Sequence, residues 1–566
     1  MKKEIKKVQK PKVAATTAKN SASSVTWLLG ILLVCTFIAF MPSLKNELTN
    51  WDDPTYINDN PLIRELSAEN IKTIFSKPYF ANYQPLHILS YAIEYSMFGL
   101  SPKGYHLVSM LMHLIAVVLV FYFIKKLNIH DYVALAVAAA FALSPMRTES
   151  VCWASERKDL LYAIFFFAAC ISYINYLNAG SIARQYLLTC IFFLLAVMSK
   201  AMAVSFVPIM VLLDIYYTRK PDIKMILDKV FFVALSIVFG LISVQASASE
   251  GSIDTTNKYS FVDRIFFASH NLMMYAVKSI IPFMQSSFYP YPVKDEGGIA
   301  AYYYIAALFP VVLAFLFFYF YKKEKLISFS IGFFVATLAL VLMLIPVGPT
   351  IFSERYTYIS SVAVYLVLFY LLHKYLSKQL FVATTMLAAI VFAVLTYNRC
   401  AVWKDSITLW TDATQKYPTA GLALNNLGDA CYKLGMIEEA EKHFTSSINA
   451  NGEYAQAWFN RGNCRGQLNR IQDAYTDLNR SIALKKDYAE AYNKRGQALS
   501  IMGKPQEALK DYTKSLELKP NNPEVYYNLS LYWHGQQNTA EACRYLRMSL
   551  ELHYTQAQKL FDDLCR

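Results

Sequence analysis

Long apolar segments recur through the first two thirds of this chain, and they constrain its fold more than any other feature. The 566 residues are 55% hydrophobic and 17% charged, with a mean hydropathy of +0.28, whereas soluble proteins carry about 25% charged residues. Because a helix of about 20 apolar residues can cross a bilayer, the sequence predicts an all-α, polytopic membrane domain over residues 25–397. The eleven predicted spans lie near 25–41, 104–124, 131–145, 159–177, 185–198, 202–217, 227–244, 299–321, 327–347, 357–376 and 380–397.

A further segment at 262–283 is interrupted by charged and polar residues, so we expect it to lie at the interface or to re-enter the membrane without spanning it. The basic clusters of the short loops then fall on one side, which the positive-inside rule assigns to the cytoplasm. Membrane topology therefore explains the net charge of +13, and nucleic-acid binding is not expected. These clusters are Lys125–Lys126, Arg184, Arg219–Lys220, Lys322–Lys323 with Lys325, and Lys374 with Lys378.

Four polar loops then face outward, at 43–103, 146–158, 245–298 and 348–356, together with a soluble C-terminal domain. The short loops and the modest repeat array favour a bacterial inner-membrane protein with a periplasmic site. An endoplasmic reticulum protein with a lumenal site would have the same topology and is the alternative. The lysine-rich residues 1–24 should form a disordered cytoplasmic tail. The nine cysteines lack CxxC pairs and zinc-like spacings, so they indicate neither a disulfide framework nor a metal site.

Two adjacent acids, Asp52 and Asp53, follow the first apolar segment in the sequence Asn50-Trp51-Asp52-Asp53-Pro54. Acids near the membrane often mark functional sites, because a carboxylate close to hydrocarbon is costly to keep ionised. The same sequence is also good turn chemistry, so a purely structural turn is the alternative.

Cations are expected at the same membrane face. The loop from Pro145 to Asp159 is too charged for a simple connector, while Lys200 and Arg355 stand at the outer ends of other spans. Single residues of this kind often serve as interfacial anchors, but convergence on one face beside two acids suggests chemistry. Such a face could hold a lipid phosphate leaving group next to a catalytic base.

The C-terminal part has a period of 34 residues. Gly428, Gly462, Gly496 and Ser530 are in register, as are Ala440, Ala474, Ala508 and Ala542. This spacing is typical of tetratricopeptide repeats, helical hairpins that stack into an α-solenoid. We therefore predict a linker helix at 398–420, then four repeats and a closing helix over 421–566.

The concave face of such a solenoid is expected to bind protein or peptide partners. Asn426, Asn460, Lys494 and Asn528 occupy one repeat position and should form a ladder along the groove. Asn amides can both donate to and accept from a peptide backbone. Asn is also common at this position in repeats of every function, so a structural role is the alternative.

His87, His106 and His113 raise the possibility of a metal site, because His106 and His113 are two helical turns apart. Their spacing matches no recognised ligand pattern. We therefore expect no metal, although a divalent cation stays open as an alternative, and we expect His106 and His113 to be hydrogen-bonded inside the bundle.

The motifs resemble the transmembrane and tetratricopeptide-repeat-containing family of C-type glycosyltransferases, which are similar to the protein O-mannosyltransferases. The likeness covers nearly the whole chain, with departures at Gln84, Ser144 and Ala201. The matching motifs are Trp51-Asp52-Asp53, Tyr83-Gln84-Pro85-Leu86, Gly104-Tyr105-His106-Leu107, Ser144 to Val151, Arg157-Lys158-Asp159-Leu160-Leu161, Ser199-Lys200, Glu354-Arg355-Tyr356 and the Trp403 to Pro418 entry into the repeats.

The resemblance implies an inverting transfer of a sugar, expected to be mannose, from a polyprenyl-phosphate donor to Ser or Thr of an acceptor protein. It implies Asp52 as the base and Asp53 as a helper. The remaining roles follow from the same resemblance: Arg157, Lys200 and Arg355 at the donor phosphate, and Arg147, Glu149, Glu156 and His106 as groups that could orient sugar or acceptor.

Three other functions stay open at this point. One is a transporter or flippase for lipid-linked sugar, which predicts charged residues near the membrane midplane, whereas here they lie at span ends, with Asp214 the nearest exception. A membrane scaffold could use the repeats to recruit partners without catalysis, although a few helices would be enough for an anchor. A transferase could also act on a glycan or a lipid instead of a protein.

Overall fold

The computed structural model describes residues 14–178, 183–249, 259–292, 294, 298–345 and 348–565. Within these ranges the regular structure is helical, and an isolated strand-like bridge pairs Tyr79 with Asn82. The predicted all-α fold is therefore confirmed. Two compact units divide the chain, Met1–Asp405 and Ser406–Arg566.

The first unit is a bundle of apolar helices. Its centre includes α5, whose alanine-rich sequence packs closely and is buried from Val133 to Leu143 except at the half-buried Leu135. The helices are α1 (Ala14–Phe40), α2 (Ala68–Ser76), α3 (Pro85–Phe98), α4 (Pro102–Lys126), α5 (Asp131–Leu143), α6 (Thr148–Cys152), α7 (Arg157–Asn178), α8 (Ala183–Ser199), α9 (Phe206–Tyr216), α10 (Ile223–Ser249), α11 (Phe261–Ile280), α12 (Ala301–Ala306), α13 (Leu308–Phe320), α14 (Lys325–Leu338), α15 (Thr357–Tyr375) and α16 (Lys378–Cys400).

Seven helical segments in the described part of the chain are long and apolar enough to cross a membrane. Four shorter apolar helices, Asp131–Leu143, Ala183–Ser199, Ala201–Tyr216 and Lys325–Val341, coincide with the remaining predicted spans. The segment predicted to lie at the interface forms α11, which starts with a capping box at Ser260 and Asp263. The seven long segments are Val25–Lys45, Pro102–Lys126, Ala154–Asn178, Ile223–Ala248, Ala301–Phe320, Glu354–Tyr375 and Lys378–Trp403.

Two boundaries differ from the sequence prediction. Helix α1 begins at Ala14, inside the expected disordered tail, because the Ala-rich stretch before Val25 can extend a helix; residues 1–13 of that tail lie outside the described ranges. The last apolar helix continues to Cys400 and is followed by a 3-10 turn at Ala401–Trp403. The linker predicted at 398–420 is therefore divided, and its helix α17 (Ser406–Lys416) belongs to the second unit.

The second unit consists of helix pairs in the predicted register. Four pairs follow α17, and the small residues of the 34-residue period lie where the two helices of a pair approach each other. A Cβ atom added at Gly496 would lie 2.6 Å from the Tyr512 ring, and one at Gly428 would lie 2.7 Å from Phe444. The pairs are α18 (Gly421–Lys433) with α19 (Ile437–Ala450), α20 (Ala455–Gln467) with α21 (Ile471–Leu484), α22 (Ala489–Ile501) with α23 (Pro505–Leu518), and α24 (Pro523–Gly535) with α25 (Thr539–Glu551).

The closing helix is α26 (Ala557–Leu564), which a disulfide between Cys543 and Cys565 joins to α25. This disulfide corrects the expectation drawn from cysteine spacing. The two residues are 22 positions apart, and the turn between α25 and α26 brings them together. No short cysteine motif marks such a pair in the sequence.

The close approach at Gly496 leads to a stability prediction. Gly496→Ala should destabilise the repeat unit by about 1–3 kcal/mol, because the buried Tyr512 ring has to move, with up to about 1 kcal/mol offset by the better helix propensity of Ala. Urea unfolding of residues 406–566, followed by circular dichroism, measures the difference.

Gly466 is a matched control, since an added Cβ there has no atom within 4 Å. Gly466→Ala should therefore leave the stability unchanged or raise it. Equal stability of the two variants would contradict the packing argument.

Candidate functional site

Charged side chains from distant parts of the first unit meet in one place. We call this group the charged cluster; its members come from the loop after α1, from α6, from the turn Ala154–Glu156 and the start of α7, from the end of α8 and from the turn Glu354–Tyr356. All except Asp52 and Arg355 are buried, and these two are partly exposed. The cluster consists of Asp52, Glu149, Glu156, Lys158, Asp159, Lys200 and Arg355.

Glu156 lies at the centre of the cluster and contacts three cations. Its carboxylate is 3.0 Å from Lys158 Nζ, 3.3 Å from Lys200 Nζ and 3.3 Å from Arg355 Nε. Buried charges persist only when they are paired. Glu156 therefore holds three positive charges close together that would otherwise repel one another.

Two further acids complete the pairing of these cations. Lys200 Nζ lies 2.5 Å from an Asp159 oxygen. Arg355 forms an ion pair with Glu149 and also donates its backbone N–H to this carboxylate at 2.9 Å. Burial raises the pKa of Glu149 to about 7, against the lowering effect of the Arg355 guanidinium.

Asp53 is held by the protein on both carboxylate oxygens. One oxygen accepts from the backbone N–H of Thr49 at 2.7 Å and from its hydroxyl at 3.0 Å. The other accepts from the backbone N–H of Ser155 at 2.9 Å and from its hydroxyl. Burial raises the pKa of Asp53, and these hydrogen bonds oppose that shift. This carboxylate ties the loop after α1 to the turn before α7.

Asp52 is different although it is the adjacent residue. It is partly exposed, and among the described residues its carboxylate has neither a hydrogen-bond nor an ion-pair partner. Burial raises its pKa to about 6, while the nearby Lys158 ammonium opposes that rise. Asp52 thus offers a carboxylate that can accept a proton near neutral pH.

Arg157, which was expected at the donor phosphate, lies in a different environment. Its guanidinium pairs with Glu94, donates to the Tyr105 carbonyl at 2.7 Å and is completely buried. The neighbouring Lys158 points toward the cluster instead and lies 5.4 Å from the Tyr56 ring centroid. The two residues take different directions because successive side chains on a helix are about 100° apart.

Of the other residues predicted to orient sugar or acceptor, some lie in the charged cluster and some lie elsewhere. Glu149 and Glu156 are in the charged cluster, as described above. Arg147 is fully buried and donates to the backbone oxygen of Thr357 at 2.9 Å, so it holds the start of α15. His106 is also buried, and its ring lies beside the backbone of Asn46 and Glu47.

Glu354 was not selected from the sequence, although its neighbour Arg355 was. Its carboxylate accepts from the Ser286 backbone N–H at 3.0 Å, from the Tyr289 hydroxyl at 2.5 Å and from the Gln285 amide at 3.0 Å. These contacts hold the segment from Gln285 to Tyr289 beside Arg355. Its position in the Glu-Arg-Tyr motif was the available signal.

Aromatic side chains lie beside the cluster. Trp51 stacks on Trp153 with centroids 4.6 Å apart, and Trp153 stacks on Trp403 at 5.7 Å. The Arg355 guanidinium lies 5.6 Å from the Trp153 centroid. Because planar guanidinium groups stack on aromatic faces, this stack fixes the position of Arg355.

Most side chains of the predicted ladder contact a neighbouring repeat. Asn460 donates to Asn425 at 3.0 Å and Asn528 donates to Asn493 at 2.8 Å. Lys494 pairs with Glu524 at 2.6 Å, and Asn426 accepts from Asn425 at 3.3 Å. A cavity of about 250 Å³ lies beside Lys494 and is lined in part by Tyr432, Asn463, Gln467 and Gln497.

Comparison with known proteins agrees with the motifs. Residues 422–454 and 489–522 match tetratricopeptide repeat models. The chain is 23% identical to Protein O-mannosyl-transferase F38B6.6 of Caenorhabditis elegans, over 75% of this chain and 63% of that protein. It is 26% identical to Protein O-mannosyl-transferase TMTC3 of Homo sapiens, over 28% of this chain and 17% of that protein. The chain is therefore similar to the TMTC proteins and carries tetratricopeptide repeats.

The matches cover less than two thirds of the length of these relatives. Among solved structures, MamA is 25% identical over 27% of the TMTC-like chain and 90% of MamA, with a TM-score of 0.25. The apolar helices and these relatives identify the TMTC-like chain as a membrane protein.

Two of the three histidines that were considered as metal ligands form hydrogen bonds within the protein. His113 hydrogen-bonds the Tyr358 hydroxyl at 2.6 Å and the Ala142 carbonyl at 3.0 Å, as expected inside the bundle. His87 bonds the Tyr91 hydroxyl at 2.7 Å. In the part of the chain that the structure describes, no three His, Cys, Asp or Glu side chains group as metal ligands would.

Arg157 and Lys158 should respond differently to substitution. Arg157→Met leaves the buried Glu94 carboxylate without its cation, which typically costs about 3–5 kcal/mol, so yield and thermal midpoint in detergent should fall. Adding Glu94→Gln should recover part of the loss. Lys158→Met should cost less, because Glu156 keeps Lys200 and Arg355. A fully stable Arg157→Met protein would contradict the structural role given to Arg157.

Proposed function

We propose that this TMTC-like chain is an integral-membrane glycosyltransferase that transfers mannose from a polyprenyl-phosphate donor to Ser or Thr hydroxyls of acceptor proteins. The observation that carries the proposal is the position of Asp52, a carboxylate without a hydrogen-bond or ion-pair partner among the described residues, next to a group of paired cations. The named activity of the relatives supports the same reaction class.

In the proposed reaction Asp52 is the general base. It accepts the proton of the acceptor hydroxyl as that oxygen attacks the anomeric carbon. The bond between this carbon and the phosphate oxygen breaks at the same time, and the electron pair leaves with the lipid phosphate. A single displacement of this kind inverts the sugar configuration.

The cations serve the leaving group. Lys158, Lys200 and Arg355 are held within one cluster by Glu156. Preorganised positive charge is effective where negative charge develops in the transition state. Lys158 takes the place that the motif assigned to Arg157, because Arg157 is engaged by Glu94. Glu149 positions Arg355, and Asp53 positions the loop that carries Asp52.

The repeats are proposed to hold the acceptor protein. Their Asn side chains bond one another between repeats, so an extended acceptor would bind by the groove surface beside Lys494 and by polar atoms not used in those contacts. The site and the repeats are proposed to face the periplasm of a bacterial inner membrane, or the lumen if the protein is eukaryotic.

Substitution of the adjacent acids tests the proposal. Purified protein is incubated with synthetic polyprenyl-phosphate mannose and an unfolded acceptor, and transfer is read from the intact mass of the acceptor. Asp52→Asn should lower transfer by at least about 100-fold with the fold retained. Asp53→Asn should instead lower the thermal midpoint, because it disturbs four hydrogen bonds.

Asp59 is the control, since it is an exposed acid of the same loop and Asp59→Asn should transfer at the wild-type rate. No transfer by the wild type with mannose, glucose or N-acetylhexosamine donors would favour the scaffold instead.

The pH dependence gives a second test. A base must be ionised to act, and the pKa of Asp52 is about 6. The apparent second-order rate should therefore be level above that pH and fall about tenfold per unit below it. Initial rates measured from pH 4.5 to 8, with folded protein monitored in parallel, check this. A profile that is flat through pH 5 would exclude Asp52 as the base.

A further inference from the structure

Two buried thiols meet beside the charged cluster. Cys152 is the last residue of α6 and Cys400 the last residue of α16, 248 positions later. Their sulfur atoms are 3.3 Å apart, and the residues are 2% and 0% exposed. A disulfide requires a sulfur–sulfur distance of about 2.05 Å, so a shift of about an ångström would join them.

Cys152 and Cys400 lie on two helices that hold parts of the candidate site. Helix α6 carries Glu149, the acid that pairs with Arg355. Helix α16 is a membrane span, and its last turn also holds the first outer loop, because Asn46 donates to the Cys400 carbonyl at 3.2 Å. A covalent link between Cys152 and Cys400 would therefore fasten the Glu149 turn to the final span.

The compartment favours oxidation. Cys400 is at the end of the segment Lys378–Trp403, and no candidate span follows it in the described residues. Chain order thus puts Cys400 on the same membrane side as the Cys543–Cys565 disulfide. Disulfides persist in oxidising compartments such as the periplasm or a lumen.

We propose that Cys152 and Cys400 form a structural disulfide during folding. Each thiol loses its proton and the two sulfur atoms become bonded, while the two electrons reduce a disulfide of that compartment, such as glutathione disulfide or an oxidoreductase, to two thiols. Because both residues are buried in the folded chain, the exchange takes place before α16 has packed. The link is then protected from reductants, and it forms whether or not the chain transfers sugar.

Mass spectrometry tests the link on the wild-type full chain, so no variant has to fold. Excess glutathione disulfide is present during expression and while the membranes are solubilised. The sample is then quenched with acid, denatured and alkylated with N-ethylmaleimide, and no reductant is added. If only Cys543 and Cys565 were bonded, seven cysteines would be alkylated. The proposed second disulfide lowers the expected number of adducts by two, to five. A digest should contain a peptide pair joining Cys152 and Cys400 that disappears on reduction.

Alkylation of both Cys152 and Cys400 in chains whose Cys543–Cys565 bond is intact would overturn the proposal. One variant tests the assignment and a second serves as its control. Cys400→Ser should release Cys152 for alkylation, whereas Cys170→Ser, a substitution of another buried cysteine, should leave the linked pair in the digest. Loss of the pair in Cys170→Ser, or a Cys152 that stays blocked to alkylation in Cys400→Ser, would equally contradict the assignment.

Discussion

The contacts of Glu156 with three cations are the interaction on which the candidate site depends. Two unit charges 4 Å apart interact by roughly 4 kcal/mol even at an effective dielectric constant of 20, so Lys158, Lys200 and Arg355 could not share a buried region without acids between them. Glu156, with Glu149 and Asp159, supplies three negative charges for the three positive ones. The balance leaves Asp52 as the one acid of the cluster without a protein partner among the described residues.

This balance also bears on the proposed chemistry. A lipid phosphate that enters the cluster competes with Glu156 for the same cations and brings negative charge toward Asp52. Like charges raise the pKa of a carboxylate, so a bound donor would make Asp52 a stronger base than it is in the free protein, where burial and Lys158 already act in opposite directions. The base would then be strongest when the donor is in place.

The helices were largely predictable from the sequence, whereas the roles of individual residues were not. Apolar length and the 34-residue period are local properties, and both predicted helices where the structure has them. Arg157 and Lys158 are adjacent in one motif, and only the packing of α7 against Tyr91 and Tyr105 decides which cation is turned into the bundle. Asp52 and Asp53 differ for the same reason, since only Asp53 meets Ser155, about a hundred residues away.

In the repeats, too, the sequence predicts the helices but not the contacts of individual side chains. The period places Asn460 and Asn528 at one position of successive helices, but it does not state which neighbour each amide meets. In the structure that neighbour is Asn425 or Asn493, one residue before the ladder position of the preceding repeat. The amides therefore lock the repeats in register, which a solenoid needs because each unit contacts only its neighbours. An acceptor peptide bound as proposed would meet a groove whose shape these bonds have already fixed, so binding would cost less conformational entropy of the protein.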